Sequence, residues 1–329
     1  MTLKLFYIDN SISDLADTES RTLHKIKRYQ SHMSFINQVS SPDEADALII
    51  QEKTCFKDFK YISALLRDPV ISKYPNKVYT INSDDCATGL LKGVYTSLPK
   101  KRLNTNIHRS IPYAEYPNEL IHNQNYINNN PTYLASWRGN IKSNKIRTKL
   151  LKEFKANPRI NINTTDSWLN HSLEEKETYI NIIINSKFSI CPAGWAPVSF
   201  RIYESMALGR SPVILADDFT PPEGPIWTDF ALFIPEHKIH RIEQILQQKE
   251  YLYKQLGDKS RHAWEQYFSP SSVIEYISSS LISLITNTPL YTKDIEVKRW
   301  KSLPSYWNNN WTLPQRALNR LRITIKKYY

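Results

Sequence analysis

The chain has 329 residues, of which 41% are hydrophobic and 23% are charged, with a mean hydropathy of −0.49. This length suffices for two domains with separate cores, the composition is typical of a soluble globular protein, and no apolar run approaches the roughly 20 residues that span a bilayer. Eight lysines and arginines and no acidic residue lie between Lys298 and Tyr329, which leaves +3 of the net charge of +11 for the rest and argues against a nucleic-acid-binding body.

The first third of the chain alternates short apolar runs with polar stretches of helical character. Such alternation predicts a parallel sheet with helices in a βαβ layout. The predicted strands are Leu3–Ile8, Ala45–Ile50 and Lys77–Asn82, with helices within Asp17–His32 and around Phe56–Arg67.

A stretch rich in Pro, Asn and Tyr follows Lys100, and we interpret it as a linker with room for one short strand. A second alternating series begins at Thr132, and two such series predict a pair of Rossmann-like domains. The predicted strands of the second series are Thr132–Trp137, Arg159–Ile162, Lys187–Pro192, Ser211–Leu215 and Ala231–Pro235. Its predicted helices are Asn144–Phe154, Glu174–Asn185, Ser199–Leu208, Ile239–Leu256 and Ser272–Ile285.

The cysteines and the N-terminus indicate a compartment. Cys55, Cys86 and Cys191 are an odd number without CxxC spacing, so we expect neither a disulfide framework nor a structural zinc site. We expect Cys191 to be a small buried strand residue. The opening sequence MTLKLFYIDNSISD contains an apolar stretch too short for a signal peptide. These features predict a cytoplasmic protein.

The segment Ser189–Leu215 holds two of the chain's 7 glycines, one on either side of a short amphipathic helix that carries Arg201 and Glu204. Ser199 is the predicted N-cap of this helix, and Gly209 is its predicted C-terminal stop. Ligands of open α/β sheets bind where a strand ends and a helix begins, and helix N-termini attract anions. The pattern predicts a phosphate contact from Arg201 and a ribose contact from Glu204. An Arg–Glu surface pair on an ordinary βα unit fits the same pattern.

Six motifs follow one another in order over about a third of the chain. They are an aromatic-Arg-Gly strand end, Ile-Arg at a helix start, a Ser-Lys-Phe strand ending Cys-Pro-x-Gly, Ser-x-Arg-x-x-Glu, Gly-x-x-Pro-Val-Ile, and an acidic loop ending in Trp. In this chain they lie at Trp137–Gly139, Ile146–Arg147, Ser186–Gly194, Ser199–Glu204, Gly209–Ile214 and Asp217–Trp227. From Thr132 to about Leu246 the chain therefore resembles the exostosin family of glycosyltransferases. Ala193 stands where many relatives have a basic residue, which leaves the donor sugar open.

The resemblance implies a GT-B fold, an α/β architecture in which two Rossmann-like domains face each other across a cleft. The expected acceptor-side domain is 1–125, the expected nucleotide-sugar domain is 126–290, and 291–329 is a basic aromatic tail. The implied reaction is inverting transfer from a UDP-sugar to a hydroxyl of a glycan or lipid-linked glycan in surface polysaccharide synthesis, without an essential metal or other cofactor. For Arg147 a structural ion pair is an equal alternative to phosphate binding. Predicted nucleotide-sugar ligands are Arg138, Gly139, Lys145, Arg147, Pro192, Gly194, Ser199, Arg201, Glu204, Asp217 and Asp218.

Three carboxylates in the N-terminal half are candidates for the catalytic base. Asp84 and Asp85 directly follow a predicted strand, and Asp9 follows the first strand in the same way. A helix cap or a turn is the alternative role of each. Neither Asp84-Asp85 nor the pair Asp217-Asp218 has the DxD spacing of a nucleotide-bound metal, and the histidines have no ligand spacing, so the sequence predicts no metal site.

The tail after Pro314 is compatible with a helix that has one apolar stripe and basic flanks. It predicts either a peripheral contact with the inner face of a membrane or packing across the two domains. Two other functions stay open at this stage: a fucosyltransferase-like enzyme that uses a GDP-sugar, and a non-catalytic protein that binds sugars or nucleic acid. The favoured interpretation includes no nucleic-acid partner.

Overall fold

The computed structural model describes residues 2–53, 60–85, 87–116, 118–122, 130–167, 171–289, 291–309, 317–318 and 321. The chain forms two compact units. Unit 1 comprises Met1–Ile111 and Ile277–Tyr329, and unit 2 comprises Pro112–Tyr276.

Unit 1 is built on a six-stranded sheet in the order β2-β1-β3-β4-β5-β6, and all of its strand pairs are parallel. Every residue of β3 and β4 is buried, as expected for central strands covered on both faces. The strands are β1 Leu3–Tyr7, β2 Ile36–Gln38, β3 Ala47–Gln51, β4 Val78–Asn82, β5 Lys92–Tyr95 and β6 His108–Ser110, with helices α1 Arg21–Ser31 and α2 Tyr61–Arg67.

Unit 2 is built on a five-stranded parallel sheet in the order β11-β10-β9-β7-β8. Its strands are β7 Tyr133–Gly139, β8 Ile160–Thr164, β9 Ser186–Pro192, β10 Ser211–Leu215 and β11 Leu232–Phe233. Its helices are α3 Lys145–Phe154, α4 Leu173–Ile184, α5 Phe200–Ala207, α6 Ile242–Lys249 and α7 Tyr253–Tyr267.

The strand order of both units places one crevice in each sheet. In unit 1, β2 pairs with one side of β1 and β3 pairs with its other side; in unit 2, β8 and β9 flank β7 in the same way. The connections therefore run to opposite sides of β1 and β7, and a crevice forms between β1 and β3 and between β7 and β9. Ligands of doubly wound sheets bind at this switch point, at the carboxyl ends of the strands. In unit 2 the switch point lies between β7 and β9. The predicted α/β class, with two Rossmann-like sheets of the GT-B type, is confirmed; the cleft between them stays a prediction.

The units divide before Pro112 rather than near residue 125. The reason is that Tyr113, Tyr116 and Ile121 belong to the hydrophobic core of unit 2, although their surrounding sequence reads as a linker. Aromatic side chains bury large areas, so they attach this segment to unit 2 even though its prolines and asparagines are typical of a linker.

The C-terminal part of the chain returns to unit 1. Helix α8 spans Val273–Asn287, and α9 and α10 span Lys293–Trp300 and Leu303–Asn309. Trp300 is fully buried in the core of unit 1, and Arg299 donates a hydrogen bond to the Leu90 carbonyl at 2.7 Å. The start of the predicted tail, residues 293–300, is therefore packed against the core of unit 1. The predicted helix after Pro314 lies largely outside the described residues.

Two short strands of unit 1 have no signal in the sequence. In β5, Lys92 is fully buried, its ammonium lies 4.4 Å from the centre of the Tyr79 ring, and it donates to the Asn76 carbonyl. Gly93 has φ +152, and a Cβ there would lie 2.1 Å from the Thr80 carbonyl oxygen. A lysine and a glycine do not predict a central strand, and only these tertiary contacts make one. The other strand without a signal is β2, which has three residues; β6 falls in the predicted linker.

The remaining differences concern the ends of helices. The helix predicted around Phe56–Arg67 begins at Tyr61 in the described part, and residues 54–59 lie outside it. The single helix predicted over Ile239–Leu256 is instead a 3-10 turn followed by α6 and then α7. Across the described ranges, no helix combines the length and the apolar character that a membrane span needs.

Candidate functional site

A pocket opens in unit 2 at the end of β7 and the start of α5, which is the switch point of the sheet. It brings together four of the predicted ligands, Arg138, Gly139, Arg201 and Glu204. Residues that the sequence did not single out complete its polar lining; they include Glu175 and Tyr179.

Arg201 lines this pocket, and three contacts from two elements, β7 and α4, hold its side chain. Its Nε donates to the Arg138 carbonyl at 2.8 Å. Its guanidinium carbon lies 5.8 Å from the centre of the Trp137 ring and 5.8 Å from that of Tyr179, within cation–π range of both. Among the described residues, no side chain or carbonyl accepts a hydrogen bond from the two terminal nitrogens of Arg201. The guanidinium in the pocket lining is therefore held in place, while the N–H groups of its two terminal nitrogens have no acceptor among the described residues.

Gly139 makes room for this guanidinium. A Cβ built on Gly139 would lie 2.2 Å from Nη2 of Arg201 and 2.9 Å from its central carbon. Trp137, two residues earlier, is buried and supplies the aromatic face. The aromatic-Arg-Gly motif therefore has a geometric explanation: its aromatic residue and its glycine both serve an arginine from another element.

Glu204 is on the same helix as Arg201 but is buried, with only 5% of its surface exposed. The Tyr179 hydroxyl donates a hydrogen bond to its Oε2. Burial raises the pKa of the Glu204 carboxyl, while the Tyr179 hydrogen bond and the Arg201 charge act in the opposite direction. In the described part of the chain, no group donates a hydrogen bond to its Oε1, so that oxygen keeps its capacity as an acceptor.

Arg138 extends the positive side of the pocket. One of its terminal nitrogens donates to Oδ1 of Asn163 on β8, and the other lies 3.9 Å from Oε1 of Glu175. Glu175 also accepts a 3.0 Å hydrogen bond from the Ser172 backbone, which completes the capping box of α4. That backbone hydrogen bond is the main cause that lowers the pKa of Glu175. The helix cap and the arginine therefore share one carboxylate.

Ser199 and Gly209 bound helix α5 as predicted. The Ser199 hydroxyl accepts a hydrogen bond from the Arg201 backbone N–H at 3.4 Å, and Gly209 has φ +64. Ser199 thereby satisfies one of the backbone N–H groups that the start of α5 leaves without a helical partner.

Arg147 has a structural role. It is 7% exposed, and its Nε and Nη1 donate to the carbonyls of Ala193 and Asn140 at 2.9 and 3.0 Å. These bonds tie it to the loop after β9. Lys145 is half-buried in the first turn of the same helix, α3, and does not line the pocket.

The other predicted ligands lie beside the pocket rather than in its lining. Pro192 ends β9, and Gly194 follows it in the loop. Asp217 is exposed, and its Oδ1 accepts a 3.0 Å hydrogen bond from the Glu236 backbone. Asp218 is half-buried next to it. Whether these residues contact a ligand stays a prediction.

The candidate bases lie at the carboxyl edge of the unit 1 sheet, where the sequence predicts them. Asp84 is half-buried, its backbone N–H donates to Oδ1 of Asn82 at 3.0 Å, and its carbonyl accepts from the Ser97 hydroxyl. The Asn82 amide donates in turn to Glu52 at 2.9 Å. Glu52 is 3% exposed and also accepts from Thr80 at 2.8 Å. A buried carboxylate therefore anchors the loop that carries Asp84.

Asp85 and Asp9 are more exposed than Asp84. Asp9 accepts hydrogen bonds from the Ser11 hydroxyl and backbone, and the hydroxyl bond is the largest cause that lowers the pKa of Asp9. A lowered pKa weakens a base. The turn role that the sequence left open for Asp9 is the one its contacts show.

Cys191 is buried with a free thiol, as predicted, and burial raises its pKa to about 12. Cys55 and Cys86 lie outside the described residues. In the part of the chain that the structure describes, no three His, Cys, Asp or Glu side chains are arranged to hold a metal ion.

Sequence reasoning missed Tyr179, Asn163, Glu175 and Glu52. Only Glu175 has a local signal, since Ser172 and Glu175 have capping-box spacing. The other three acquire their roles through partners in distant elements, which no local pattern shows.

Comparison with known proteins places these observations in a family context. A sequence model of the Exostosin GT47 domain matches residues 76–249, more than half of the chain. A probable glucuronosyltransferase of Oryza sativa subsp. japonica is 35% identical over 102 residues, which are 30% of this chain and 21% of the relative. A probable beta-1,4-xylosyltransferase of Arabidopsis thaliana is 33% identical over 102 residues, 30% of this chain and 22% of the relative. The chain thus spans about a fifth of the length of the curated relatives it matches.

Solved structures of low sequence identity also resemble the chain. HepE of Anabaena in complex with UDP-glucose has a TM-score of 0.44 at 11% identity, covering 85% of this chain and 100% of that one. An alpha1,3-fucosyltransferase has a TM-score of 0.43 at 12% identity, covering 88% of this chain and 92% of that one. Likeness at this level supports no inference about ligand or reaction.

The close approach of Arg201 to Gly139 can be tested by a double-mutant cycle. We expect Gly139→Ala to reduce the free energy of unfolding by about 1–3 kcal/mol, because the added methyl overlaps the guanidinium. In an Arg201→Ala background the same change should cost much less, since the overlapping group is gone. Denaturant unfolding of the four proteins measures the coupling. Equal costs in the two backgrounds would show that the two residues do not meet.

Proposed function

The chain belongs to the exostosin GT47 family of glycosyltransferases, and from this membership we propose that it transfers a sugar from a nucleotide sugar to a hydroxyl group of a glycan acceptor. Unit 2 binds the donor in the pocket at its switch point. The observation that carries the proposal is the guanidinium of Arg201 in the pocket lining, which the Arg138 carbonyl and the rings of Trp137 and Tyr179 hold, while its terminal nitrogens have no hydrogen-bond acceptor among the described residues.

A nucleoside diphosphate suits the charges of this pocket. When the sugar departs, negative charge develops on the diphosphate, and fixed donors stabilise that charge without reorganising. A guanidinium binds two phosphate oxygens at once with charge-assisted hydrogen bonds. Arg201 and Arg138 supply two such groups, and Lys176 adds a third positive charge at the lining. These cations allow the leaving group to be stabilised without a metal ion.

Glu204 then serves the nucleoside. A ribose presents two neighbouring hydroxyl donors, and Oε1 of Glu204 is the acceptor available to them. Tyr179 holds the other oxygen, so the carboxylate keeps one orientation. We assign the donor as a UDP-sugar, the donor type that the family resemblance implies. The names of the relatives direct attention to glucuronosyl and xylosyl groups, and UDP-glucuronic acid and UDP-xylose are the first donors to test.

Inversion of the anomeric centre requires a base for the acceptor. The acceptor oxygen attacks the anomeric carbon, the bond from that carbon to the diphosphate oxygen breaks, and the acceptor proton passes to the base. Asp84 is our assignment among the three candidates, because its loop is anchored through Asn82 to the buried Glu52, whereas Ser11 occupies Asp9. UDP leaves with the electron pair of the broken bond.

The acceptor is proposed to be a growing surface glycan or a lipid-linked glycan, with the protein in the cytoplasm. Residues of α10 that expose large apolar surface, Leu303, Tyr306 and Trp307, are compatible with a peripheral membrane contact by the tail. Acceptor, compartment and membrane contact stay predictions.

Donor binding can be measured by thermal unfolding. We expect UDP to raise the melting temperature, by the equivalent of about 2.7 kcal/mol at a hundredfold excess over Kd, because it binds the native state alone. Arg201→Ala should abolish the shift, whereas Arg241→Ala, which removes an exposed arginine of the same unit outside the pocket lining, should preserve it. Hydrolysis of a UDP-sugar panel then identifies the sugar. A shift with GDP instead of UDP would favour the fucosyltransferase-like alternative, and a shift with a DNA oligonucleotide alone would refute the proposal.

The base assignment makes a separate prediction. Asp84→Asn should lower sugar transfer by about a hundredfold or more, because general base catalysis contributes that much, while the UDP-induced shift in melting temperature persists. Asp85→Asn and Asp9→Asn make the same chemical change at neighbouring positions and should lower transfer less. A larger loss in either of them would move the assignment to that residue.

A further inference from the structure

The loop between β9 and α5 presents one aromatic side chain to solvent. Within residues 193–198, all of which the structure describes, Trp195 is the single large apolar side chain that is exposed, at 58%. Its neighbours Ala193 and Ala196 are 4% and 3% exposed. The backbone on both sides of the tryptophan is therefore packed into unit 2 while the indole projects from it.

Hydrogen bonds from the buried Arg147 and the half-buried Asn144 hold this loop. Arg147 donates to the Ala193 carbonyl at 2.9 Å, and the Asn144 amide donates to the Gly194 carbonyl at 2.9 Å. The Gly194 N–H closes a turn onto the Ala196 carbonyl at 3.0 Å. Asn144 also caps α3 through its other side-chain atom, at 3.1 Å from the Ile146 N–H. The loop that carries Trp195 is consequently fixed to a helix and not free to collapse.

Gly194 belongs to the same construction. A Cβ there would lie 3.0 Å from Nη2 of Arg147, so a larger residue would push against the guanidinium beneath the loop. Rigidly held loops are where binding residues concentrate, because the scaffold meets the entropic cost of positioning them in advance. The buried Arg147 thus acts as a support for the loop that presents Trp195.

We propose that Trp195 is a stacking platform for one sugar ring of the glycan acceptor. The flat face of an indole matches in size the face of axial C–H groups that a pyranose ring presents, while the sugar hydroxyls stay in water. The loop leaves β9, a strand of the switch point, at the carboxyl edge where the donor pocket opens. The identification of the sugar as the acceptor rests on the proposed function.

The size of the platform favours a sugar over a protein partner. A tryptophan buries about 150–250 Å² when it is covered, whereas a stable protein interface needs about 800 Å² from each partner. Neighbouring residues of the loop add little, since Ala193, Gly194 and Ala196 are buried. One ring of exposed aromatic surface is enough for one sugar unit and too little for a protein.

The test uses the full chain labelled with 5-fluorotryptophan and observed by ¹⁹F NMR. The 8 tryptophans give separate signals, and Trp195→Phe identifies the one from Trp195. Xylohexaose, cellohexaose, mannohexaose and a heparosan hexasaccharide are the probes. We expect the Trp195 signal to shift saturably with at least one of them. We also expect Trp195→Ala to weaken binding of that saccharide about tenfold, as removal of a central aromatic contact does.

Two variants sharpen the result. Trp195→Tyr should retain most of the affinity because it keeps an aromatic face. Tyr251→Ala is the matched control: Tyr251 is 80% exposed in the same unit. Its neighbour Glu250 is paired with Arg159 and Lys187, which lie at the amino-terminal ends of β8 and β9, opposite the pocket edge. This variant should bind the saccharide unchanged.

The outcomes separate this inference from the proposed function. If UDP binds but no saccharide moves the Trp195 signal, the platform is refuted and the donor proposal stands. If a saccharide moves that signal and UDP does not bind, the platform stands and the donor proposal fails. A loss of UDP affinity in Trp195→Ala as large as the loss of saccharide affinity would also refute the platform, since it would place the indole in the donor site.

Discussion

The candidate site depends on the fixed position of one guanidinium. Arg201 leaves the first turn of α5 beneath the end of β7, where the Arg138 carbonyl accepts its Nε and the rings of Trp137 and Tyr179 flank its charge. The absent side chain of Gly139 provides the space. A half-buried arginine loses entropy and hydration when it is held in this way, and the cation–π contacts and the carbonyl bond offset that cost. Its two terminal nitrogens keep their hydrogen-bonding capacity, because no described residue accepts from them.

The two carboxylates of the pocket, Glu204 and Glu175, are also held by neighbouring groups. Glu204 is buried beside a tyrosine and an arginine, so its charge is stabilised by one neutral hydrogen bond and one nearby cation. Glu175 faces Arg138 while it caps α4. Each carboxylate of the pocket therefore has a structural partner. The positive groups exceed the negative ones, which suits a doubly charged diphosphate.

The sequence predicted the elements that carry the site but not the contacts that shape it. Ser199 and Gly209 are local signals for helix ends, and apolar strands separated by helices imply a parallel sheet with a switch point, so the position of the pocket could be inferred. The burial of Glu204 could not be inferred, because a carboxylate on an amphipathic helix is expected to be exposed, and the contact with Tyr179 that buries it comes from another helix. Lys92 in a central strand and Glu52 beneath the Asp84 loop are likewise defined by tertiary partners alone. The boundary between the units also differs from the prediction, because Tyr113 and Tyr116 pack into the core of unit 2 through contacts that no local pattern shows.

The central claim is that Arg201 recognises the diphosphate, and a calorimetric comparison of UDP with UMP tests it most directly. Wild-type protein should bind UDP at least about tenfold more tightly than UMP, because UDP adds charge-assisted hydrogen bonds to the second phosphate. Arg201→Lys keeps the charge but removes the forked donor geometry, and it should lose most of that preference. An unchanged ratio of the two affinities in Arg201→Lys would contradict the account.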